Sequence, residues 1–362
     1  MADPRHILIL CPYPRDTAPS QRLKYEQYIP YLESRGYCLS IHPFFSLPTY
    51  SILYKHGHTI LKIHGVLQAI VRRFLLLPRI ARADGVYIHL HVCPIGPPLL
   101  EWLTCRLARA VVFDIDDMVH LLPTSDANSR VRRLKSSERF FLLMRRAQHV
   151  ITCTPTLDRL VRRYNAWTTD ISSTIDTTTY QPCNPYSNDR ELVIGWSGSH
   201  STAPYLHLLD GVLSQLALLF PFRLLVMGPA SFAMSGVCVE VIPWSASVEL
   251  ATLQRIDIGL YPLPDDDWVQ GKSGLKALQY MALGIPVVAS DVGCNDRVVR
   301  HDDTGYLVRD DQEWLDRLQQ LILDPMLRRR LGMAGRQRVE AIYSVQANRD
   351  RYLKIFQDTY GV

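Results

Sequence analysis

Residues 271–293 read GKSGLKALQYMALGIPVVASDVG and indicate the fold more clearly than any other stretch of the chain. Apolar residues at helical spacing follow a glycine-rich turn, the pattern stops at Gly284, and Pro286 begins a short apolar run. A helix that leads into a buried strand is typical of parallel α/β sheets.

The start of that helix is predicted to attract an anion. The first amides of a helix have no intrahelical acceptor, and Lys272 adds a full positive charge beside them. Gln279, roughly two turns further on, is expected to reach past bound phosphates toward a pair of sugar hydroxyls. Ordinary helix–strand packing explains the same periodicity equally well, so the pattern alone leaves both interpretations open.

The same alternation of strand and helix extends through both halves of the chain. Helical spacing is seen over 20–35 and 129–147, and a last helix is predicted over about 344–360. Runs buried on both faces and separated by helices indicate parallel sheets with right-handed crossovers. The predicted strands are 6–11, 37–42, 85–91, 111–114 and 150–153 in the first half, and 192–196, 223–227, 238–242, 256–260, 286–289 and 305–308 in the second.

A chain of 362 residues exceeds what one hydrophobic core usually organises, so two domains are expected. We predict two Rossmann-like domains that face a central cleft, with ligands bound beyond the carboxyl ends of the strands. The predicted bounds are 1–170 for the first domain, 171–190 for a polar linker, 191–343 for the second domain, and 344–362 for a helix that packs back on the first domain.

The composition excludes several protein classes. With 47% hydrophobic and 21% charged residues, the chain is too apolar to be disordered. Its eight cysteines contain no C-x-x-C pair and no metal-ligand spacing, so neither a disulfide scaffold nor a metal site is predicted, and buried free thiols are expected. No secretory signal and no membrane-spanning apolar run are recognised, so we expect a cytoplasmic protein, or one peripheral on the inner face of the membrane.

The net charge of +5 is unevenly distributed along the chain: residues 1–170 carry an excess of ten positive charges, and the rest an excess of five negative ones. Nucleic-acid-binding motifs are missing, so anionic lipid is the favoured partner of the basic half. Residues 60–82 hold five Lys or Arg and no acidic residue. Both an interfacial membrane helix and a core helix with a solvated basic face fit this segment, and the regional charge favours the anionic membrane surface.

The segment 271–293, together with Asp296–Val299 and Thr304–Leu307, resembles the donor-site signature of GT-B-fold glycosyltransferases of family 4. That signature usually reads Glu-x7-Glu and ends in Gly-x-Pro-Val-Val. The resemblance implies retaining transfer from a nucleoside-diphosphate sugar, with no obligatory metal and no cofactor. It also implies that residues 1–170 form an acceptor-binding domain and residues 191–343 a nucleotide-sugar-binding domain. It extends to PYPR at 12–15, SQR at 20–22, FDIDD at 113–117, IGWSGS at 194–199 and LYPL at 260–263.

Two departures from the signature concern the donor. Gly271 and Gln279 stand where the family has its two glutamates, so one of Asp265, Asp266 and Asp267 is expected to take over the role of the first. The family's usual Arg and Lys after the first strand of the second domain are replaced by a Ser/Gly/Thr loop, and the positive charge is expected from Lys272 and Lys276. The predicted donor-binding residues are Ser197, Gly198, Ser199, Thr202, Gly228, Lys272, Ser273, Gly274, Leu275, Lys276 and Gln279.

The acceptor side is predicted near a run of aspartates at the end of a strand. Clustered carboxylates raise one another's pKa, which suits a group that accepts a proton near neutral pH, although a helix cap and a surface turn explain the same residues. The predicted catalytic residues are Asp116, Asp117, His120 and Lys272, and the predicted acceptor-binding residues are Arg15, Arg22, Asp116, Asp117 and His120. His89 and His91 are expected to be packing residues on one strand face, and Lys24 to lie on a solvated helix face.

The sequence thus predicts a retaining glycosyltransferase that acts on a glycan or lipid-linked acceptor in cell-surface polysaccharide or glycolipid synthesis. Fold does not fix function, so a nucleotide-sugar epimerase or a phosphorylase on the same architecture remains an alternative. A phosphorylase also needs a pyridoxal-phosphate lysine, for which no distinct context is seen. A non-catalytic nucleotide-sugar-binding partner is the third possibility, because both glutamates are missing.

Overall fold

The computed structural model describes residues 3–55, 57–121, 136–183, 191–199 and 202–361. The chain divides into two compact units: the first comprises Met1–Ser173 and Asn348–Val362, and the second comprises Thr174–Ala347. Each unit contains one six-stranded sheet whose neighbouring strands all run parallel. The predicted α/β class is therefore confirmed.

The strands of the first unit follow the apolar runs of the sequence, and all residues of the two central strands β3 and β4 are buried, as expected for a parallel sheet covered on both faces. The strands are β1 (Arg5–Cys11), β2 (Tyr37–Pro43), β3 (Gly85–His89), β4 (Val111–Asp114), β5 (His149–Thr152) and β6 (Thr168–Asp170), in the order β2-β1-β3-β4-β5-β6. The helices are α1 (Pro19–Arg22), α2 (Ile29–Glu33), α3 (Leu47–Leu53), α4 (Thr59–Arg82), α5 (Leu99–Leu107), α6 (Glu138–Arg146) and α7 (Pro155–Arg162).

Three elements of the first unit differ from their predicted form. The helix predicted over 20–35 is broken into α1, a 3-10 turn and α2, with Pro30 in the first turn of α2, where a missing N–H breaks no hydrogen bond. Strand β3 ends at His89 because Leu90 has a left-handed φ of 64°. The helix predicted over 129–147 is seen as α6, and its first residues lie outside the described part of the chain.

The last helix, α14 (Val345–Tyr360), covers part of the first unit's core. The ring of Tyr352 stacks on Tyr28 with centroids 4.1 Å apart. The hydroxyl of Tyr360 donates a hydrogen bond to the carbonyl of Val86 over 2.8 Å. A Cβ atom at Gly85 would lie 2.2 Å from the Tyr360 ring, so only glycine lets this helix approach the start of β3 so closely.

The second unit repeats the architecture, with the strand order β12-β11-β10-β7-β8-β9. All six predicted strands are present within two residues of their predicted ends. They are β7 (Val193–Ser197), β8 (Arg223–Gly228), β9 (Val239–Pro243), β10 (Ile258–Tyr261), β11 (Val287–Ser290) and β12 (Gly305–Val308). The helices are α8 (Asp210–Leu219), α9 (Ala246–Leu253), α10 (Leu275–Ala282), α11 (Asn295–Val298), α12 (Asp311–Leu323) and α13 (Pro325–Arg338), with a π-helical turn at Val339–Tyr343.

The cysteines all lie within the described residues, and no disulfide joins any of them. Cys11, Cys93, Cys153 and Cys294 are buried as predicted, but Cys38, Cys183 and Cys238 are exposed, so the expectation of buried thiols was wrong for these three. None of the described helices combines the length and apolarity needed to cross a bilayer.

Candidate functional site

The start of α10 in the second unit lacks a capping side chain. Its N-cap residue is Gly274, with a left-handed φ of 73°. A Cβ atom there would lie 2.8 Å from Val298, so this turn requires glycine both for its backbone conformation and for space. Because the first amides of an α-helix have no intrahelical acceptor, this end of α10 favours a bound anion.

Lys272 is held close to that helix start. A 3-10 turn at Val269–Gly271 precedes it, and the carboxylate of Asp266 caps this turn by accepting a hydrogen bond from the Val269 amide over 2.8 Å. The ammonium of Lys272 lies 4.9 Å from the ring centroid of Trp268, within range of a cation–π interaction. The cation therefore has a defined position three residues before the first residue of α10.

A second cluster of predicted donor residues lies where β7 and β8 end. The amide of Gly198 donates to the carbonyl of Met227 over 3.0 Å, and a Cβ atom at Gly228 would lie 1.9 Å from the carbonyl oxygen of Gly198. The Thr202 hydroxyl accepts a hydrogen bond from the Ser199 amide over 3.0 Å, which closes a small loop. His200 and Ser201, which lie in this loop, are outside the described residues.

Tyr280 connects this loop to α10. Its hydroxyl accepts a hydrogen bond from the Ser197 amide over 2.7 Å and donates to the Ser197 hydroxyl over 3.3 Å. Burial raises the pKa of Tyr280, so the phenol stays protonated and can donate. The contact ties the helix that carries Lys276 to the end of β7.

In the first unit, Asp114 at the end of β4 is the centre of a buried polar cluster. Its Oδ1 lies 2.6 Å from the ammonium of Lys24. Its Oδ2 accepts a hydrogen bond from Tyr87 over 2.7 Å and lies 3.0 Å from Nδ1 of His89. The side chains of Lys24 and Asp114 are 1% and 0% exposed, so the prediction of a solvated Lys24 was wrong.

The cluster keeps Asp114 ionised. Burial alone would raise the pKa of Asp114, but the Lys24 cation and the hydrogen bond from His89 lower it to about 2. Burial would likewise lower the pKa of Lys24, but the carboxylates of Asp114 and Asp116 raise it. The expectation that these neighbouring aspartates raise one another's pKa is therefore wrong for Asp114, because a cation lies between the carboxylates.

Two aspartates follow the end of β4 within three residues. Asp116 is nearly buried, with its Oδ1 3.9 Å from the Lys24 ammonium, and Asp117 is half-buried in a left-handed conformation with a φ of 60°. His120 lies in the 3-10 turn Val119–Leu121, and its side chain is outside what the structure describes. Lys24 thus fixes the strand end from which the predicted catalytic residues Asp116 and Asp117 extend.

The two arginines predicted to bind an acceptor lie before and within α1. Arg15 is exposed, with its Nε 3.8 Å from the Asp16 carboxylate, and Arg22 is half-buried. The loop before α1 is held by Gln21. Its side-chain oxygen accepts a hydrogen bond from the Tyr13 amide, and its side-chain nitrogen donates to the Tyr13 carbonyl and to the Glu26 carboxylate.

Comparison with known proteins identifies the architecture. Residues 192–324 match the family described as Glycosyl transferases group 1. Sucrose-phosphate synthase from Thermosynechococcus elongatus is similar with a TM-score of 0.69 and 16% identity over 98% of each chain. HepE from Anabaena, solved with UDP and glucose, is similar with a TM-score of 0.67 and 15% identity over 98% of this chain and 100% of HepE. The chain has the GT-B fold.

The predicted GT-B fold is thereby confirmed, and all the predicted donor residues of this GT-B chain fall inside the matched region. Among curated proteins, the Glycosyltransferase 1 domain-containing protein 1 of Xenopus tropicalis is 33% identical over 100 residues, which are 28% of this chain and 29% of that protein. The chain spans less than a third of the length of the curated relatives that it matches.

Gln279 of this GT-B chain does not reach outward from α10 as predicted. The residue is 0% exposed, and its amide nitrogen donates to the carboxylate of Glu249 over 3.1 Å and to the hydroxyl of Tyr180 over 3.2 Å. Glu249 is itself buried and also accepts hydrogen bonds from Tyr180 and from the indole of Trp244. In this structure the Gln279 amide is therefore part of a buried network around Glu249, and its contact with a ribose stays a prediction.

Sequence reasoning did not find Glu249, Tyr180, Trp244 or Tyr280. Glu249 and Gln279 are 30 positions apart on different helices, so no local spacing relates them. Gly271 is buried, and Asp265–Asp267, one of which was predicted to contact the donor sugar, are exposed. Asp266 uses one carboxylate oxygen to cap the turn before Lys272. No group of three or more His, Cys, Asp or Glu side chains within the described ranges is arranged to hold a metal ion.

Proposed function

We propose that this protein is a retaining glycosyltransferase that transfers a sugar from a nucleoside-diphosphate sugar to a glycan or lipid-linked acceptor, without a metal or other cofactor. The uncapped start of α10, with Lys272 held over Trp268, carries this proposal. It is an anion site inside the region that matches group 1 glycosyltransferases. The proposed setting is the synthesis of cell-surface polysaccharide or glycolipid.

In this mechanism the diphosphate of the donor binds at the start of α10. As the bond between the anomeric carbon and the phosphate oxygen breaks, negative charge grows on the departing diphosphate. The helix amides and Lys272 stabilise that charge, because they are already oriented before the reaction. The hydroxyls of Ser199 and Thr202, at the end of β7, are proposed as further donors to the phosphates.

The acceptor hydroxyl is proposed to be oriented by Asp116, Asp117 or His120. Its proton passes to an oxygen of the departing diphosphate on the face that the leaving group occupied, so the anomeric configuration is retained. Asp114 is assigned no proton transfer, because its pKa of about 2 makes it too weak a base. Its role is to fix Lys24 and the chain that follows β4.

The first experiment measures nucleotide release from a panel of nucleoside-diphosphate sugars, with and without a membrane extract as acceptor source. UDP-glucose is a suitable first donor, because HepE was solved with UDP-glucose. Lys272→Ala should lower turnover by ~10²–10³-fold, the scale for the loss of one charge-stabilising donor. Lys354→Ala is the control, because Lys354 is 75% exposed and pairs only with Asp358 among the ion pairs described. Near-normal turnover in Lys272→Ala would refute the assignment of Lys272.

The other parts of the proposal have separate tests. The anomeric configuration of the product, determined by NMR, should match that of the donor, and EDTA should leave turnover unchanged. The absence of both signature glutamates supports a second candidate, a non-catalytic protein that binds nucleotide sugars. Donor binding by calorimetry without turnover under any condition would favour that candidate, and acceptor-free conversion of the donor would favour an epimerase.

A further inference from the structure

Helix α4 has two apolar faces on opposite sides. One face packs into the first unit through Gly65, Ala69, Leu76 and Ile80, which are buried. The opposite face is a stripe of apolar side chains that are between 41% and 82% exposed. We refer to this set as the apolar stripe; it consists of Ile60, Ile63, Leu67, Val71, Phe74 and Leu75.

The stripe follows the helical repeat. Its members recur at intervals of three and four residues, so they form one band along a helix of 24 residues, ~36 Å long at 1.5 Å per residue. Single exposed apolar side chains are common on protein surfaces, but six on one band form a continuous patch, which marks an interaction surface.

The charged side chains of α4 are all positive. Helix α4 contains no acidic residue, and Arg72, Arg79 and Arg82 are exposed. Arg72 is steadied by a hydrogen bond from its guanidinium to the carbonyl of Phe44 over 3.2 Å. Arg73 does not belong to this surface, because it is buried and donates to the backbone carbonyls of Cys11, His42 and Val92. The surface is therefore an apolar band with a cationic margin.

We propose that α4 binds the surface of an anionic membrane. The helix lies in the plane of the membrane, the apolar stripe enters the boundary between headgroups and acyl chains, and Arg79 and Arg82 contact lipid phosphates. Charge complementarity favours this occupant over a second copy of the chain. Two copies joined symmetrically through this face would bring the same arginines together with no acidic partner on either helix. The proposal stands on α4 alone and does not depend on glycosyltransferase activity.

Flotation of the full-length protein with lipid vesicles tests the proposal. Vesicles of phosphatidylcholine are compared with vesicles that contain one-third phosphatidylglycerol. The variant Leu67→Gln/Val71→Gln/Leu75→Gln replaces the centre of the stripe with polar side chains. The three substituted side chains are 55–72% exposed, so folding is retained. The matched control is Leu218→Gln/Leu323→Gln/Met326→Gln, which changes three apolar side chains of the second unit that are 68–88% exposed. Circular dichroism verifies that both variants are folded.

The wild type and the control variant should bind the anionic vesicles, and the stripe variant should bind them at least ~100-fold more weakly, since three buried apolar side chains are lost. Arg79→Gln/Arg82→Gln should weaken binding by ~5-fold for each arginine, and only on anionic vesicles. Absence of wild-type binding, or equal binding of the stripe and control variants, would overturn the proposal. A concentration-dependent dimer that the stripe variant abolishes, seen by light scattering, would assign the stripe to a second copy instead.

Discussion

A glutamate at position 279 should destabilise this protein. The amide nitrogen of Gln279 lies 3.1 Å from a carboxylate oxygen of Glu249, and both side chains are buried. In Gln279→Glu a carboxylate oxygen replaces the amide nitrogen, so a donor becomes an acceptor and two carboxylates face each other. The oxygen of Gln279 lies 3.5 Å from the Lys276 ammonium, which would attract the new carboxylate, but Lys276 is only half-buried, so solvent weakens this attraction.

The loss in free energy of unfolding follows from the 3.1 Å separation of residues 249 and 279 and from the proton that the new carboxyl keeps in the folded state. Two unit charges at that separation repel by ~5 kcal/mol at an effective dielectric constant of 20. Because Lys276 offsets part of this repulsion, the pKa of the carboxyl introduced at position 279 should rise by at most ~4. The folded variant therefore keeps a proton that the unfolded chain loses above its pKa of ~4.3. Because the unfolded state gains stability as pH rises, the free energy of unfolding should fall relative to wild type by at most ~1 kcal/mol at pH 5 and by at most ~4 kcal/mol at pH 7.

Chemical denaturation of the wild type, Gln279→Glu and Glu249→Gln/Gln279→Glu at both pH values provides the assay. The double variant exchanges the amide and the carboxylate, so it keeps one charge and a matched donor, and it should recover most of the lost stability. Equal stability of Gln279→Glu and wild type at pH 7 would refute the reasoning. A double variant no more stable than the single one would show that the loss comes from packing and not from repulsion between carboxylates.

Two further changes test the two units separately. Lys24→Met leaves the buried carboxylate of Asp114 without its cation and should lower the free energy of unfolding at pH 7 by ~3–5 kcal/mol in denaturant titrations. Because the pKa of folded Asp114 is about 2, the wild type should lose the stability that this ion pair provides as the pH falls from ~4 toward 2. The difference in free energy of unfolding between the wild type and Lys24→Met should therefore become smaller over the same pH range. A difference that stays constant would contradict the ion pair between Lys24 and Asp114. Gly228→Ala places a Cβ atom 1.9 Å from the Gly198 carbonyl at a residue whose φ is 140°. This variant should lower the free energy of unfolding by ~3 kcal/mol or more. A melting temperature like that of the wild type would show that the loop after β7 moves aside freely.

The strands were predictable because buried parallel strands are apolar on both faces. β4 and β12 have their predicted bounds, and the other predicted strands differ by one or two residues at an end. β6 was not predicted, since Thr168–Asp170 is a short, half-buried strand at the sheet edge with no apolar residue. The helix predicted over 20–35 shows the limit of periodicity, because the apolar spacing continues past the end of α1 at Leu23 and through the 3-10 turn that precedes α2.

The candidate site was predictable only where one stretch of chain forms it. The start of α10 was predicted after a glycine-rich turn and its end at Gly284. Gly274 in that turn and Gly284 both have left-handed backbones. Side-chain partners were not predictable in the same way. Lys24 and Asp114 are 90 positions apart and meet only in the folded first unit, and a helical wheel gives no information on what lies opposite a residue.

Glutamine at position 279 has a structural explanation in the second unit. A carboxylate is present beside α10, but it belongs to Glu249 on α9, where Gln279, Tyr180 and Trp244 all donate to it. A buried carboxylate is stable when hydrogen-bond donors surround it, and Glu249 has three. A second carboxylate 3.1 Å away, at position 279, would remove one of these donors and add a repelling charge. Positions 249 and 279 are therefore coupled: position 249 carries the carboxylate, and the side chain at position 279 must donate a hydrogen bond to it. Glutamine at position 279 follows from the glutamate at position 249, and its presence alone is no sign that the donor region has lost its role.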